Sequence, residues 1–346
     1  MPNVRQSLDQ TDRRIAAALL IAPRASWRTL AHCLELSERT VVRRAGPLYA
    51  DGTLRATVVR SPARFPALVP LALRVRCRPN RVRAVAATLA RRPDTVWVDV
   101  LGGGDEISTI LFLDGPEARN TLLLRDLPAT AAVASWTAHT LLRVFPTSFH
   151  WSGGLLSAQE TALLQATDPL PADAPGPEAP DVPDAPDAPE VPAVTEAGEA
   201  PGDAALIEAL TANGRAGWTE LAARTGLGPL TARRRVAALV RGHVVRLATE
   251  VDLALLGCQS EALLWLTVSP GALEATGRTL GRHPRVRFVA ATTGPANLLV
   301  AVAVADLSAL YGFLTGTVGT LTKITGIETT PILATAKRTG LTRPAW

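Results

Sequence analysis

Near the start of the chain Ile15, Leu19 and Ala22 recur at helical spacing, with Asp9 placed to cap the helix and Asp12 three residues on. Pro23 stops that helix. Ser26 can cap the next, whose apolar face is Trp27, Leu30, Ala31 and Leu34. After a short Glu35-Leu36 turn, Ser37 can cap a third helix that turns Val41, Ala45 and Leu48 inward. Its other face carries Arg39, Thr40, Arg43 and Arg44. Two helices, a tight turn and a helix bearing Arg and Thr form a helix-turn-helix pattern, whose last helix suits a DNA major groove. Gly46-Pro47 falls inside that helix and should kink it or end it early.

Gly52-Thr53-Leu54-Arg55 suits a turn into a wing or a connecting strand. The pattern then predicts a strand over 71–76, a helix over 80–91, and a strand pair over 95–101 and 107–113 around Gly102-Gly103-Gly104-Asp105. A helix near 116–124 and a strand near 133–145 complete a βαββαβ unit.

The same pattern returns 191 residues later. Arg24-Ala25-Ser26-Trp27 lies over Arg215-Ala216-Gly217-Trp218, and Leu30-Ala31 over Leu221-Ala222. One register also sets Thr40 on Thr231, Arg43-Arg44 on Arg234-Arg235, Leu48 on Leu239, Pro93 on Pro284, Gly103 on Gly294 and Val133 on Ile324. The chain is therefore a duplication. The second copy offers Leu206 and Leu210, then Trp218, Leu221 and Ala222, and a third helix opened by Pro229, where a missing N–H is harmless. Thr231, Arg233, Arg234 and Arg235 stand on that helix, and Gly242 to Arg246 follows it. Its βαββαβ segments are expected over 262–268, 271–282, 286–292, 298–304, 307–316 and 324–333.

Between the copies, residues 168–201 alternate Pro, Ala and acids, a composition that cannot bury apolar area and is expected to form an extended linker. Just before it, Leu156 to Leu164 resembles the entrance of the first helix again, as if the linker interrupts the entrance to the second helix-turn-helix and leaves an extra helix before it. The expected architecture is α+β: two winged helix-turn-helix domains over 1–60 and 204–252, two ferredoxin-like units over 61–150 and 253–346, and a linker over 151–203.

The net charge is +5, but it is unevenly spread. No Lys or Arg stands between Arg143 and Arg215, where twelve acids occur; without that stretch 36 basic residues face 19 acids, a net of +17. A basic body invites a polyanion, because neutralised phosphates release counterions. Cys33, Cys77 and Cys258 are too scattered for a disulfide framework or a CxxC metal site, and fit a reducing cytoplasm. No apolar run approaches membrane-spanning length, and Met1 to Gln10 has no apolar signal segment, so a cytoplasmic protein without a membrane partner is expected.

In order and spacing these motifs resemble the leucine-responsive/asparagine-regulator (Lrp/AsnC) family of bacterial transcription factors. The residues that carry the resemblance are Leu8-Asp9 with Asp12, Ser37 with Arg44 and Leu48, Gly52, and the hairpin residues Gly103 with Glu106 and Gly294 with Asn297. The resemblance implies binding of double-stranded DNA through Ser37, Arg39, Thr40, Arg43, Arg44, Thr231, Arg233, Arg234 and Arg235. It also implies α+β (RAM-type) units that pair, here as an internal pseudo-dimer, and assemble further into a homo-oligomer. A small-molecule effector, an amino acid or similar, would bind near Gly103, Glu106, Gly294 and Asn297. Glu106 could meet an ammonium group, whereas Asn297 could not neutralise one.

Duplicated proteins of this build also include tetrapyrrole-processing decarboxylases. That chemistry needs His or Arg groups converging on a pocket. His32, His139, His150, His243 and His283 fall in different elements and form no matched pair: His139 aligns with Thr330, His243 with Gly52. The glycine run at 102–104 precedes a strand rather than a helix, so it is no dinucleotide loop. A regulator with neither cofactor, metal nor catalytic residues is the expectation, with the decarboxylase as the alternative.

Overall fold

A computed structural model describes residues 8–65, 67–145, 151–167 and 202–343. The first head comprises α1 (Gln10–Ile21), α2 (Trp27–Leu34) and α3 (Glu38–Ala50). Asp9, Ser26 and Ser37 cap them through the backbone amides of Asp12, Thr29 and Thr40. Glu35, left-handed at φ 56°, makes the tight turn between α2 and α3. Ile15, Leu19, Leu30, Val41, Ala45 and Leu48 are fully buried, as their periodicity demands. Gly46-Pro47 does not end α3 early: the helix continues to Ala50. Proline removes one internal N–H bond, but Leu48 is completely buried and the Asp51 amide still reaches the Pro47 carbonyl.

After β1 (Arg55–Arg60) comes the first α+β unit: β2 (Leu68–Cys77), α4 (Val82–Arg91), β3 (Thr95–Leu101), β4 (Glu106–Asp114), α5 (Gly115–Thr121), a π-turn over Leu122–Asp126 running into α6 (Leu127–Ala129), and β5 (Val133–Val144). Residues 151–167, expected to belong to the linker, are ordered, and α7 (Ala158–Thr167) fills most of them. Ser157 and Glu160 form a capping box, Glu160 pairs with Arg14 of α1, and Leu164 is buried in the first head's core. The extra helix thus braces the first head. The Pro-rich stretch 168–201 lies outside the described residues.

The second copy follows: α8 (Asp203–Ala212), α9 (Trp218–Thr225), α10 (Pro229–Arg241), β6 (Val245–Glu250), β7 (Ser260–Val268), α11 (Leu273–Gly281), β8 (Val286–Thr292), β9 (Leu298–Val304), α12 (Leu307–Gly316), β10 (Ile324–Arg338) and the short β11 (Leu341–Thr342). Each α+β unit has its own apolar layer between helices and sheet. The two sheets then join edge to edge, β5 on β8 and β10 on β3, while β10 also pairs with β7. The result is a closed barrel, which removes the exposed sheet edges. Its interior is filled by Ala72, Leu101, Ile110, Leu141, Leu263, Trp265 and Leu299.

The seams obey the repeat. Leu141 faces Thr292 across the first, and Ile332 faces Leu101 across the second, each pair related to the other by 191 residues. The segments after the third helices become connecting strands: β1 and β6 pair antiparallel with each other. Thr57 faces Ala248, also 191 apart, so a local two-fold passes through this ladder. Each connecting segment also sends side chains into the other copy's head. Val58 enters the second head's core, while Val251, Leu253 and Leu256 enter the first head's. The chain is its own isologous pseudo-dimer.

Candidate nucleic-acid interface

The third helix of each head is held from behind, which fixes what its front can present. On α3, Arg39 and Arg43 are exposed and carry no ion pair among the described residues, with Thr40 half-buried beside them. Ser37 serves as the helix cap, its hydroxyl 2.8 Å from that of Thr40. Arg44 turns back: it donates to Asp9 at 2.5 Å and Asp12 at 3.0 Å, tying α3 to the start of α1. The amide of Asp12 and the Arg44 guanidinium together hold the Asp9 carboxyl below its ordinary range. The second head repeats this. Thr231, Arg233 and Arg234 on α10 are exposed, whereas Arg235 donates to the nearly buried Asp203 at 2.8 Å. Arg44 and Arg235 therefore join α1 to α3 and α8 to α10, and the outward-facing set consists of Arg39, Thr40, Arg43, Thr231, Arg233 and Arg234.

The heads are locked together by a contact that sequence reasoning missed. Arg24 donates to the carbonyls of Gly214 (2.6 Å) and Ala216 (2.9 Å) and lies over the Trp218 ring at 4.3 Å. Arg215 donates to those of Pro23 (2.7 Å) and Ala25 (3.1 Å) and lies over Trp27 at 4.2 Å. Both arginines stand in the most visible part of the repeat; a repeat shows which residues are alike, not that they meet.

The hairpin residues are engaged inside the protein, at opposite seams. Glu106 accepts from Arg74 at 2.6 Å, and Arg74 also holds Glu328 of β10 through two bonds of 2.7 and 2.8 Å. The Arg74 hydrogen bond keeps Glu328 below its ordinary pKa. Asn297 is spent on both backbone groups of Val268, at 2.8 Å each. Gly294, at φ +104°, lies against His139, whose Nδ1 contacts the Thr293 carbonyl at 2.8 Å; a Cβ there would collide with the ring. Gly103 has Asp105 beside it.

One seam also holds a buried charge cluster without a counterpart at the other. Asp99 accepts from Thr335 at 2.6 Å, Arg338 reaches Glu261 at 2.9 Å, and Arg287 lies 3.0 Å from Glu261. At the equivalent positions of the other seam stand Ala290, Val144, Pro70 and Val96. Burial pushes the Asp99 carboxyl up to about 6, against the pull of Arg338 and Thr335. Beside it Trp97, Asp99, Ser108, Phe288 and Leu299 line a cavity of about 10 Å³, room for a single water. No helix among the described residues is long and apolar enough to cross a membrane.

Comparison with known proteins agrees with this organisation. The AsnC-type helix-turn-helix domain matches residues 8–46 and 202–240, and the Lrp/AsnC ligand binding domain matches 261–342. HTH-type transcriptional regulators of Pyrococcus horikoshii and Pyrococcus abyssi, both described as uncharacterized, are each 28% identical over 144 residues, 41% of this chain and 89% of theirs. Among solved structures, the siroheme decarboxylase NirDL with an iron-uroporphyrin III analogue shares the fold over 95% of this chain and 93% of its own, at TM-score 0.53 and 13% identity. Two AsnC-type heads, a Lrp/AsnC ligand binding domain and one register relating its halves make the chain similar to Lrp/AsnC regulators in a tandem-duplicated form.

Proposed function

We propose that the chain is a sequence-specific DNA-binding transcription regulator whose α3 and α10 enter two major-groove segments of one operator. The observation that carries this function is the pair of third helices, each turning unpaired arginines outward from a head of AsnC type. Arg39, Thr40 and Arg43 serve one segment, and Thr231, Arg233 and Arg234 the other. Mobility shifts on the DNA upstream of its own gene, across a salt series, test it. Tight, competitor-resistant binding with a steep salt slope is expected; weak binding indifferent to sequence would refute it.

The ligand-binding match supports modulation by a small molecule, an amino acid or similar, at the hairpins of Gly103 with Glu106 and Gly294 with Asn297. Because Glu106 and Asn297 are already engaged, a ligand there must displace Arg74 or the Val268 backbone. A melting-temperature screen with amino acids reads this. Leu307 and Tyr311, exposed on α12, offer an apolar contact for a further homo-oligomer, which sedimentation measures.

The fold likeness to NirDL favours a second function, tetrapyrrole chemistry. A barrel filled by Leu141, Leu263 and Trp265, with a water-sized cavity, supports a regulator rather than an enzyme. A tetrapyrrole absorbance band in the purified protein would reverse that preference.

A further inference from the structure

Set in register by the 191-residue offset, the outward positions over 39–43 of α3 and 230–234 of α10 agree at two positions and differ at two others. Thr40 matches Thr231, and Arg43 matches Arg234. Arg39, however, stands where the second head has Leu230, and Val42 where it has Arg233. All four are exposed, Val42 at 44% and Leu230 at 59%, while the neighbouring Val41 and Ala232 occupy the core positions. Residues three apart share one helix face. An arginine and an apolar side chain have thus exchanged places along that face.

In the major groove these side chains select different bases: arginine pairs with the O6 and N7 of guanine, and an apolar side chain contacts the thymine methyl. We propose that α3 and α10 read unlike half-sites, in which a guanine contact and a thymine contact trade positions, so that one chain recognises an asymmetric operator. The inference rests on the DNA-binding function proposed above. The pseudo-two-fold at Thr57 and Ala248 then relates two half-sites of opposite orientation and different sequence.

The test is selection of binding sites from random duplex DNA by the full chain, followed by affinities for the selected site and its two symmetrised forms. The native protein should prefer the mixed site over either inverted repeat by about tenfold or more, the scale of a mismatched base pair. The double substitution Arg39→Leu with Val42→Arg gives α3 the residues of α10 at the two exchanged positions, at unchanged net charge. It should shift the preference to an inverted repeat of the α10 half-site, with the melting curve unaltered. A native protein that selects a perfect inverted repeat, or a folded double variant with unchanged preference, overturns the inference while DNA binding stands. Selection that enriches no sequence overturns the DNA-binding function itself.

Discussion

Arg24 and Arg215, 191 residues apart, change places across the boundary between the heads: each donates to backbone carbonyls beside the other and covers the other head's tryptophan. The contact is isologous, as in a two-fold dimer, yet it lies within one chain. Together with the β1–β6 ladder it fixes how the two third helices sit relative to each other.

Replacing Arg24 or Arg215 with Ala should therefore loosen the heads without unfolding the barrel. Each loses a cation–π contact worth about 0.5–2 kcal/mol and two carbonyl bonds. Hydrogen exchange should speed up in β1 and β6 and stay slow in β4 and β9. Uniform acceleration through the barrel would contradict this division.

Gly214 makes a sharper probe. A Cβ there would sit 2.5 Å from the Thr57 backbone nitrogen, and main chain in a ladder cannot swing aside. Gly214→Ala should destabilise head docking by about 1–3 kcal/mol, read as a lower first transition in denaturant. A variant as stable as the native chain would mean that β1 is not held against the second head.

Adjacent arginines on α10 should separate stability from binding. Arg235→Ala leaves the nearly buried Asp203 without its ion pair and should cost about 1–3 kcal/mol of stability. Arg234→Ala should leave the denaturation midpoint in place and weaken operator binding. Identical behaviour of the two variants would contradict the different directions of these side chains.

The buried Asp99 makes a pH signature. Its carboxyl is raised from 3.8 to about 6, so the folded state holds the proton more tightly than the unfolded chain. The associated stability is complete below the ordinary value and fades as pH rises through about 6. Relative to an Asp99→Asn variant, the native protein should lose stability between about pH 4 and about pH 7. A difference constant across that window would show that Asp99 is not buried as described.

Much of this was legible in the chain. Asp9, Ser26 and Ser37 announced their helices because a capping oxygen must precede free amides, and every predicted strand formed. Arg43 and Arg44 were indistinguishable by type: successive helical residues point about 100° apart, so one faces solvent while the other reaches Asp12. The head clasp and the Asp99 cluster stayed hidden for a common reason. They join segments more than a hundred residues apart, and the cluster has no echo in the other copy. Leu156 to Leu164 announced a helix, yet only packing could assign it to the first head.

The most direct measurement is hydroxyl-radical footprinting of the selected operator with the native chain, Arg43→Ala and Arg234→Ala. The native protein should protect two segments one helical turn, about 10 base pairs, or a multiple of it apart. Each variant should lose a different one. Both variants weakening the same single segment, or both segments equally, would contradict a single chain that carries two distinct reading heads.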